Sequence, residues 1–275
     1  MNISFIGGGN MASAMIGGLL RNGTCRSDEI RVVEIDAGRQ SQLKSLNVVV
    51  FGQQVDEAII GSDIVVLAVK PQQMKASVAK LGKCLAPGQI VLSIAAGICL
   101  VDLEKWLGRQ AGEVVLVRAM PNTPALIGAG ITGLFSAPSI TAQQREQVDK
   151  AMSATGSVVW LQSESDMDAV TAISGSGPAY FFYFIEALAQ AGEELGLPEG
   201  TARKLAVETA LGAAKLAHDS PEDPATLRAR VTSKNGTTER ALQSMQANHL
   251  MQHIIAAAKA AAARSREMGK ELGES

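Results

Sequence analysis

Aromatic residues are scarce in this chain: six Phe, two Tyr and two Trp among 275 residues. The net charge is only −2, so there is neither a stacking platform nor a basic stripe, and nucleic acid is excluded as a partner. Cysteine is almost as rare. Cys25, Cys84 and Cys99 are odd in number and lack metal-ligand spacing, so reduced thiols are expected rather than a disulfide framework or a zinc site. His249 and His253 lie four apart on what reads as the last helix, but no third ligand or glutamate completes a zincin pattern, and no metal is expected. No apolar run is long enough to span a bilayer, and no charged-then-apolar leader precedes the first apolar run. The expected setting is the cytoplasm, with no membrane contact.

What the chain does have is glycine and aliphatic residues: 27 Gly and a hydrophobic share of 47% against 19% charged, a globular composition of one large domain or two smaller ones. The glycines concentrate where they matter at the start. Ile3-Ser4-Phe5-Ile6 is an apolar run, Gly7-Gly8-Gly9 is a turn, and Met11, Met15, Leu19 and Leu20 fall on one helical face. Gly7-x-Gly9-x-x-Ala12 therefore reads as a dinucleotide fingerprint in strand–turn–helix context. Gly7 permits the tight turn, Gly9 lets a pyrophosphate approach, and Ala12 lets the helix sit close to its strand. Ile6, Gly8, Asn10 and Met11 complete the expected cradle, whose free N–H groups and helix dipole favour an anion.

Further apolar runs follow at 30–35, 48–51, 63–69, 89–94, 114–117, 130–135 and 158–161, and helical patterns at 74–85, 101–107 and 141–155 separate several of them. Strand alternating with helix in this way predicts a parallel, doubly wound α/β sheet over residues 1–162. Ligands of such sheets sit beyond the carboxyl ends of the strands. Glu34 stands where a carboxylate would meet the adenine ribose and favour NADH. Arg39, just beyond, could instead pair with a 2′-phosphate. Three other strands end in Ala68-Val69-Lys70-Pro71, Ala95-Ala96-Gly97 and Met120-Pro121-Asn122-Thr123-Pro124. Small residues at Ala68, Ala95 and Ala96 leave room for the nicotinamide end, two prolines hold Asn122-Thr123 rigidly, Lys70 offers a charge, and Pro71 opens the next helix.

Past Ser163 strand patterns vanish and Ala- and Leu-rich helical stretches take over, which separates a helical domain over 163–275. A long helical pattern at 168–195 is interrupted by Ser174-Gly175-Ser176-Gly177-Pro178, a break that a sequence accepts where the backbone bends or something approaches closely. Phe181-Phe182-Tyr183-Phe184 reads as core packing. Another helix is expected at 199–216. Val231-Thr232-Ser233-Lys234-Asn235-Gly236-Thr237-Thr238-Glu239 reads as a polar loop entering a helix, with Thr237 or Thr238 as the cap and Glu239 in the first turn. Free N–H groups and hydroxyls there would suit a carboxylate. So few large residues for so many helices predict that this half buries its apolar faces against a second copy.

Taken together, these stretches resemble the pyrroline-5-carboxylate reductase family. The resemblance rests on Phe5-Ile6-Gly7-Gly8-Gly9-Asn10-Met11-Ala12, Ala68-Val69-Lys70-Pro71, Ser93-Ile94-Ala95-Ala96-Gly97, Arg118-Ala119-Met120-Pro121-Asn122-Thr123-Pro124, Ile173-Ser174-Gly175-Ser176-Gly177-Pro178-Ala179-Tyr180 and Val231-Thr232-Ser233-Lys234-Asn235-Gly236-Thr237-Thr238, in family order. It implies a Rossmann domain followed by an all-α dimerisation domain, dimers often assembled into decamers, and NADPH as cofactor with NADH as the alternative. It also implies hydride reduction of the C=N bond of 1-pyrroline-5-carboxylate to L-proline. Ser233, Gly236, Thr237 and Thr238 would hold the substrate, and Thr238 would hydrogen-bond the ring nitrogen. The chain departs from the pattern at Asn235, where many members have a second glycine, and at Glu34 with Asp36, where NADPH-preferring members commonly carry Ser, Asn or Arg. A two-domain 3-hydroxyacid dehydrogenase would need a lysine base where this chain has Ser174 to Tyr180. A non-catalytic NAD(P)-sensing regulator would have no use for the Thr-rich loop.

Overall fold

The first apolar run forms β1 (Ile3–Ile6), all four residues of which are buried. In the computed structural model, which describes residues 1–82, 84–108, 112–137 and 139–274, β1 lies inside an eight-stranded sheet. β2 (Ile30–Val33) and β4 (Ile64–Leu67) flank it, both parallel to it. β3 (Val49–Phe51) lies outside β2. β5 (Ile90–Ser93), β6 (Val115–Met120), β7 (Gly130–Ser136) and β8 (Gly156–Trp160) follow β4, for an order of 3-2-1-4-5-6-7-8. The strand order reverses between β1 and β4, which places a topological switch point at the end of the glycine-rich strand.

Alternate residues of the central strands feed two apolar layers. Phe5, Val66 and Leu92 pack with Met15, Ile16 and Leu19 of α1 (Asn10–Arg21) and with Val148 and Met152 of α6 (Ala142–Ser153). Ile6, Val65 and Leu67 face the other way, toward Met74, Val78 and Leu81 of α4 (Pro71–Leu81) and Leu103 of α5 (Leu100–Leu107). Each fully buried side chain of this size stabilises the fold by roughly 2 kcal/mol. Burial on both faces is why these strands read as near-continuous Val, Ile and Leu. The expected doubly wound sheet is present, with one antiparallel ladder: Val117 pairs with Ser136 and Met120 with Gly133. Only a short 3-10 turn, Thr123–Ile127, connects β6 to β7, too little chain for a parallel crossover. Two short helices that no periodicity announced, α2 (Ala37–Lys44) and α3 (Val55–Ile59), complete the crossovers around β3.

The chain divides into two units, Met1–Ser176 with Ala261–Ser275, and Gly177–Ala260. In the first unit the helical pattern expected over 168–195 begins as α7 (Met167–Val170) and widens into a π-helical turn, Thr171–Gly175. At this turn Gly175 lies close to Met120, whose Cε would be 2.6 Å from a Cβ there.

The second unit holds α8 (Gly177–Glu194), α9 (Glu199–Asp219), α10 (Pro224–Arg230), α11 (Thr237–Ala247) and the start of α12 (Leu250–Glu274), which from Ala261 counts with the first unit. α8 packs on α9, with Gly192 against Ala202. The aromatic run expected in the core is not in the core of the single chain: Phe181, Phe182 and Tyr183 are 66%, 65% and 75% exposed. Residues 178–185, the first two turns of α8, carry no charged side chain, and one neighbouring helix covers only a stripe of them. A second correction concerns the histidines. His249 is not on the last helix but precedes it in a left-handed conformation, φ 54°. Among the described residues no helix is long and apolar enough to cross a membrane.

Candidate functional site

The glycines of the first turn do three different things. Gly7 has φ +100°, donates its N–H to the Val33 carbonyl at 2.8 Å, and a Cβ there would lie 2.7 Å from the Ala68 carbonyl oxygen and 3.1 Å from Val69 Cγ1. The turn thus lies against the end of β4, and the structure brings Gly7, Ala68 and Val69 together as expected. Gly8 makes room for α2, because a Cβ on it would meet Leu43 Cδ1 at 2.6 Å. Gly9 is open: within 4 Å, a Cβ there would meet only Arg39 Nη1, at 3.9 Å. Gly9 is also the N-cap of α1. It supplies no side-chain cap, and the first turn carries no acid. Open space above a glycine, beside uncapped N–H groups at the positive end of a helix, fits a pyrophosphate. Ile6 and Ala12 are buried behind the turn, Met11 is half-buried and Asn10 exposed.

Glu34 is buried, only 6% exposed. Its Oε1 accepts from the Ile35 and Asp36 N–H groups at 2.8 and 2.9 Å, and its Oε2 accepts from the Gly8 N–H at 2.8 Å. Arg39 stays half-exposed, with Nη1 3.9 Å from Glu34 Oε2. The carboxylate is therefore taken up by backbone donors, and the guanidinium stands at the rim of the open space over Gly9.

At the other strand ends, Ala95 is buried and Ala96 half-buried. Lys70 is the exposed N-cap of α4, with Pro71 at the first helical position. Asn122 is buried with both ends of its amide engaged: Nδ2 donates to the Ser174 carbonyl at 3.1 Å and Oδ1 accepts from the Ile131 N–H at 3.0 Å. It ties the end of β6 to β7 and to the π-helical turn.

In the second unit, α11 starts at Thr237, so Gly236 is the cap rather than Thr237 or Thr238. Gly236 donates its N–H to the Ser233 carbonyl at 3.0 Å, and a Cβ on it would lie 2.6 Å from Ser233 Oγ. Asn235 takes the left-handed conformation, φ 59°, and donates its N–H to Glu239 Oε2 at 2.7 Å. No side chain caps the first turn. Ser233 and Thr237 are exposed and Thr238 half-buried, which groups all four expected residues around one uncapped helix start.

One polar cluster escaped the sequence. Arg118, 4% exposed, places Nη1 3.2 Å from Glu164 Oε1 and 3.6 Å from Cys99 Sγ, while Leu100 donates its N–H to the same glutamate oxygen at 2.7 Å. Burial pushes the Cys99 thiol up, against the pull of Arg118. The cluster borders a cavity of about 400 Å³, also lined by Asp168, Ser265 and Lys270, and no residue of the glycine turn reaches it. A charged residue inside the apolar run of β6 was the only signal of this cluster. Among the described residues no group of three His, Cys, Asp or Glu could hold a metal ion.

Comparison with known proteins adds three kinds of match. Residues 164–268 match a family model described as pyrroline-5-carboxylate reductase dimerisation, and residues 2–97 one described as NADP oxidoreductase, coenzyme F420-dependent. The pyrroline-5-carboxylate reductase of Pseudomonas aeruginosa is 46% identical over 99% of this chain and 98% of its own length. Among solved structures, a pyrroline-5-carboxylate reductase from Coxiella burnetii superposes with a TM-score of 0.91 at 39% identity, covering 97% of this chain and 98% of that one. The pyrroline carboxylate reductase of Plasmodium falciparum, solved with NADP bound, matches with a TM-score of 0.85 at 28% identity, covering 98% of both chains.

Proposed function

The chain belongs to the pyrroline-5-carboxylate reductase family, and from that membership we propose that it reduces the C=N bond of 1-pyrroline-5-carboxylate to give L-proline, with NADPH as cofactor. The observation that carries the reading is a pair of uncapped helix starts on glycine N-caps, Gly9 and Gly236, one suited to a pyrophosphate and the other to a carboxylate.

We assign residues 1–162 to cofactor binding. Gly7, Gly8, Gly9, Asn10, Met11 and Ala12 hold the pyrophosphate with Ile6 behind them, Ala68, Val69, Lys70 and Pro71 line the adjoining strand end, and Ala95 and Ala96 leave space for the nicotinamide end. Asn122 supports that end through its bonds to Ser174 and Ile131 rather than by a free amide. Glu34 is already engaged by three N–H groups of the turn and its own strand end, and the half-exposed Arg39 beside it can receive a 2′-phosphate. This explains how an acidic residue at that position is compatible with NADPH.

Residues 163–275 carry substrate binding and dimerisation in this proposal. Ser233, Gly236, Thr237 and Thr238 hold the carboxylate, and the Thr238 hydroxyl orients the ring nitrogen. When bound, the reduced nicotinamide supplies the hydride that the imine carbon accepts. The ring nitrogen is basic enough to take its proton from water, so the chain needs no dedicated acid. Its contribution is to fix the ring at near-attack distance and to stabilise charge. The exposed Phe181, Phe182 and Tyr183 face is where a second copy docks. Assembly of dimers into a decamer and a cytoplasmic site of action belong to the same proposal.

The test is parallel oxidation of NADPH and NADH with 1-pyrroline-5-carboxylate as the only acceptor. Rapid NADPH oxidation with proline as product is the expected result. Cofactor binding without oxidation of either would overturn the proposal in favour of a non-catalytic NAD(P) sensor.

A further inference from the structure

Asn235 occupies a left-handed turn, φ 59°, directly before the cap of α11. An asparagine tolerates that region better than most residues but is strained there relative to glycine, so something must hold it. The holder is Glu239, whose Oε2 accepts the Asn235 N–H at 2.7 Å. In an ordinary capping box a glutamate at the third helical position returns to the N–H of the cap itself. Here that N–H, on Gly236, is already given to the Ser233 carbonyl at 3.0 Å, and Glu239 reaches one residue further back. Two consecutive N–H groups are thus consumed inside the turn, one by a charge-assisted bond. The first-turn donors of α11 are left without a side-chain cap, beside a Ser233 hydroxyl packed 2.6 Å from the Cβ position of Gly236.

We infer that Glu239 is a positioning residue for the substrate carboxylate: it locks Asn235 in the left-handed turn and so fixes Ser233, Gly236 and Thr238 in a receptor geometry before substrate arrives. This rests on the substrate reading given above. Glu239 does its work through Asn235 and does not itself contact the substrate. The lock matters because residue 235 is not glycine. With glycine the turn would be unstrained and the glutamate less necessary.

The experiment is steady-state kinetics on the full-length wild type, E239A, E239Q, N235G and N235G/E239A, with melting temperatures alongside. E239A is expected to raise KM for 1-pyrroline-5-carboxylate roughly fivefold, the scale of one hydrogen bond, with KM for NADPH unchanged. E239Q keeps an acceptor oxygen and stays near wild type. Removing Glu239 costs less in the N235G background, a non-additivity that a plain helix cap would not produce. Equal effects in both backgrounds, an E239Q as impaired as E239A, or an unchanged substrate KM would each overturn the inference. Amide exchange on the wild type provides a check that does not depend on E239A folding. Asn235 N–H is expected to exchange more slowly than Thr237 N–H, and equal rates would overturn the lock. Failure of the wild type to reduce the imine would instead overturn the substrate reading, before any variant is compared.

Discussion

Gly8 donates its backbone N–H to Glu34 Oε2 across 2.8 Å, which fastens the glycine turn to the end of β2. The acidic residue that, by position, should choose between the two cofactors is thus part of the scaffold of the turn. In the function proposed above the choice passes to its neighbour Arg39, whose guanidinium lies 3.9 Å away and half in solvent.

Arg39→Ala should lower kcat/KM for NADPH by roughly tenfold to thirtyfold, the worth of one charge-assisted bond to a phosphate, and leave NADH almost unaffected. Parallel kinetics with the two cofactors checks this. Equal losses with both would place the 2′-phosphate elsewhere.

Two neighbouring glycines should fail in different ways. Gly7→Ala puts a Cβ 2.7 Å from the Ala68 carbonyl oxygen at a φ of +100°, and should destabilise the protein by about 2–4 kcal/mol. Gly9→Ala meets nothing closer than Arg39 Nη1 at 3.9 Å, so its melting temperature should stay at the wild-type value while NADPH affinity falls. Urea denaturation and cofactor titration separate the two. A Gly9→Ala variant that binds NADPH normally would contradict the pyrophosphate position.

Thr238→Ala should reduce kcat by about tenfold to a hundredfold while the dissociation constant for NADPH hardly changes, because in the proposed function the hydroxyl acts on the ring nitrogen alone. Stopped-flow cofactor binding with steady-state turnover measures both quantities. A parallel loss of cofactor affinity would show that the residue has been misplaced.

Phe182→Asp places a charge on a ring that is 65% exposed in the single chain, so the isolated fold should tolerate it. Burying that charge at a subunit contact costs several kcal/mol, and sedimentation should show a shift toward monomer. An unchanged oligomer would move the dimer contact off this face.

Much of this protein could be read locally. Ile3–Ile6, the glycine turn and α1 follow from an apolar run, three glycines and one helical stripe, and Pro71 marks the start of α4 because its fixed φ and missing N–H suit the first helical position. The start of α11 was legible to within one or two residues, because a cap expected at Thr237 or Thr238 is in fact Gly236. What tertiary structure alone decided lies in partners far along the chain. α2 was silent because Leu43 is its one buried residue, too few to make a period. Asn122 looked like a free polar group held between two prolines, and is consumed by Ser174, 52 residues away. Glu34 looked outward-facing until the Gly8 N–H, 26 residues earlier, was seen to claim it. The aromatic run of α8 looked like core, and is core only if another surface covers it. Periodicity is set by neighbours along the chain, so sequence determines it. The direction in which a carboxylate or an amide is satisfied is set by whichever donors folding brings within 3 Å, and no local pattern encodes them.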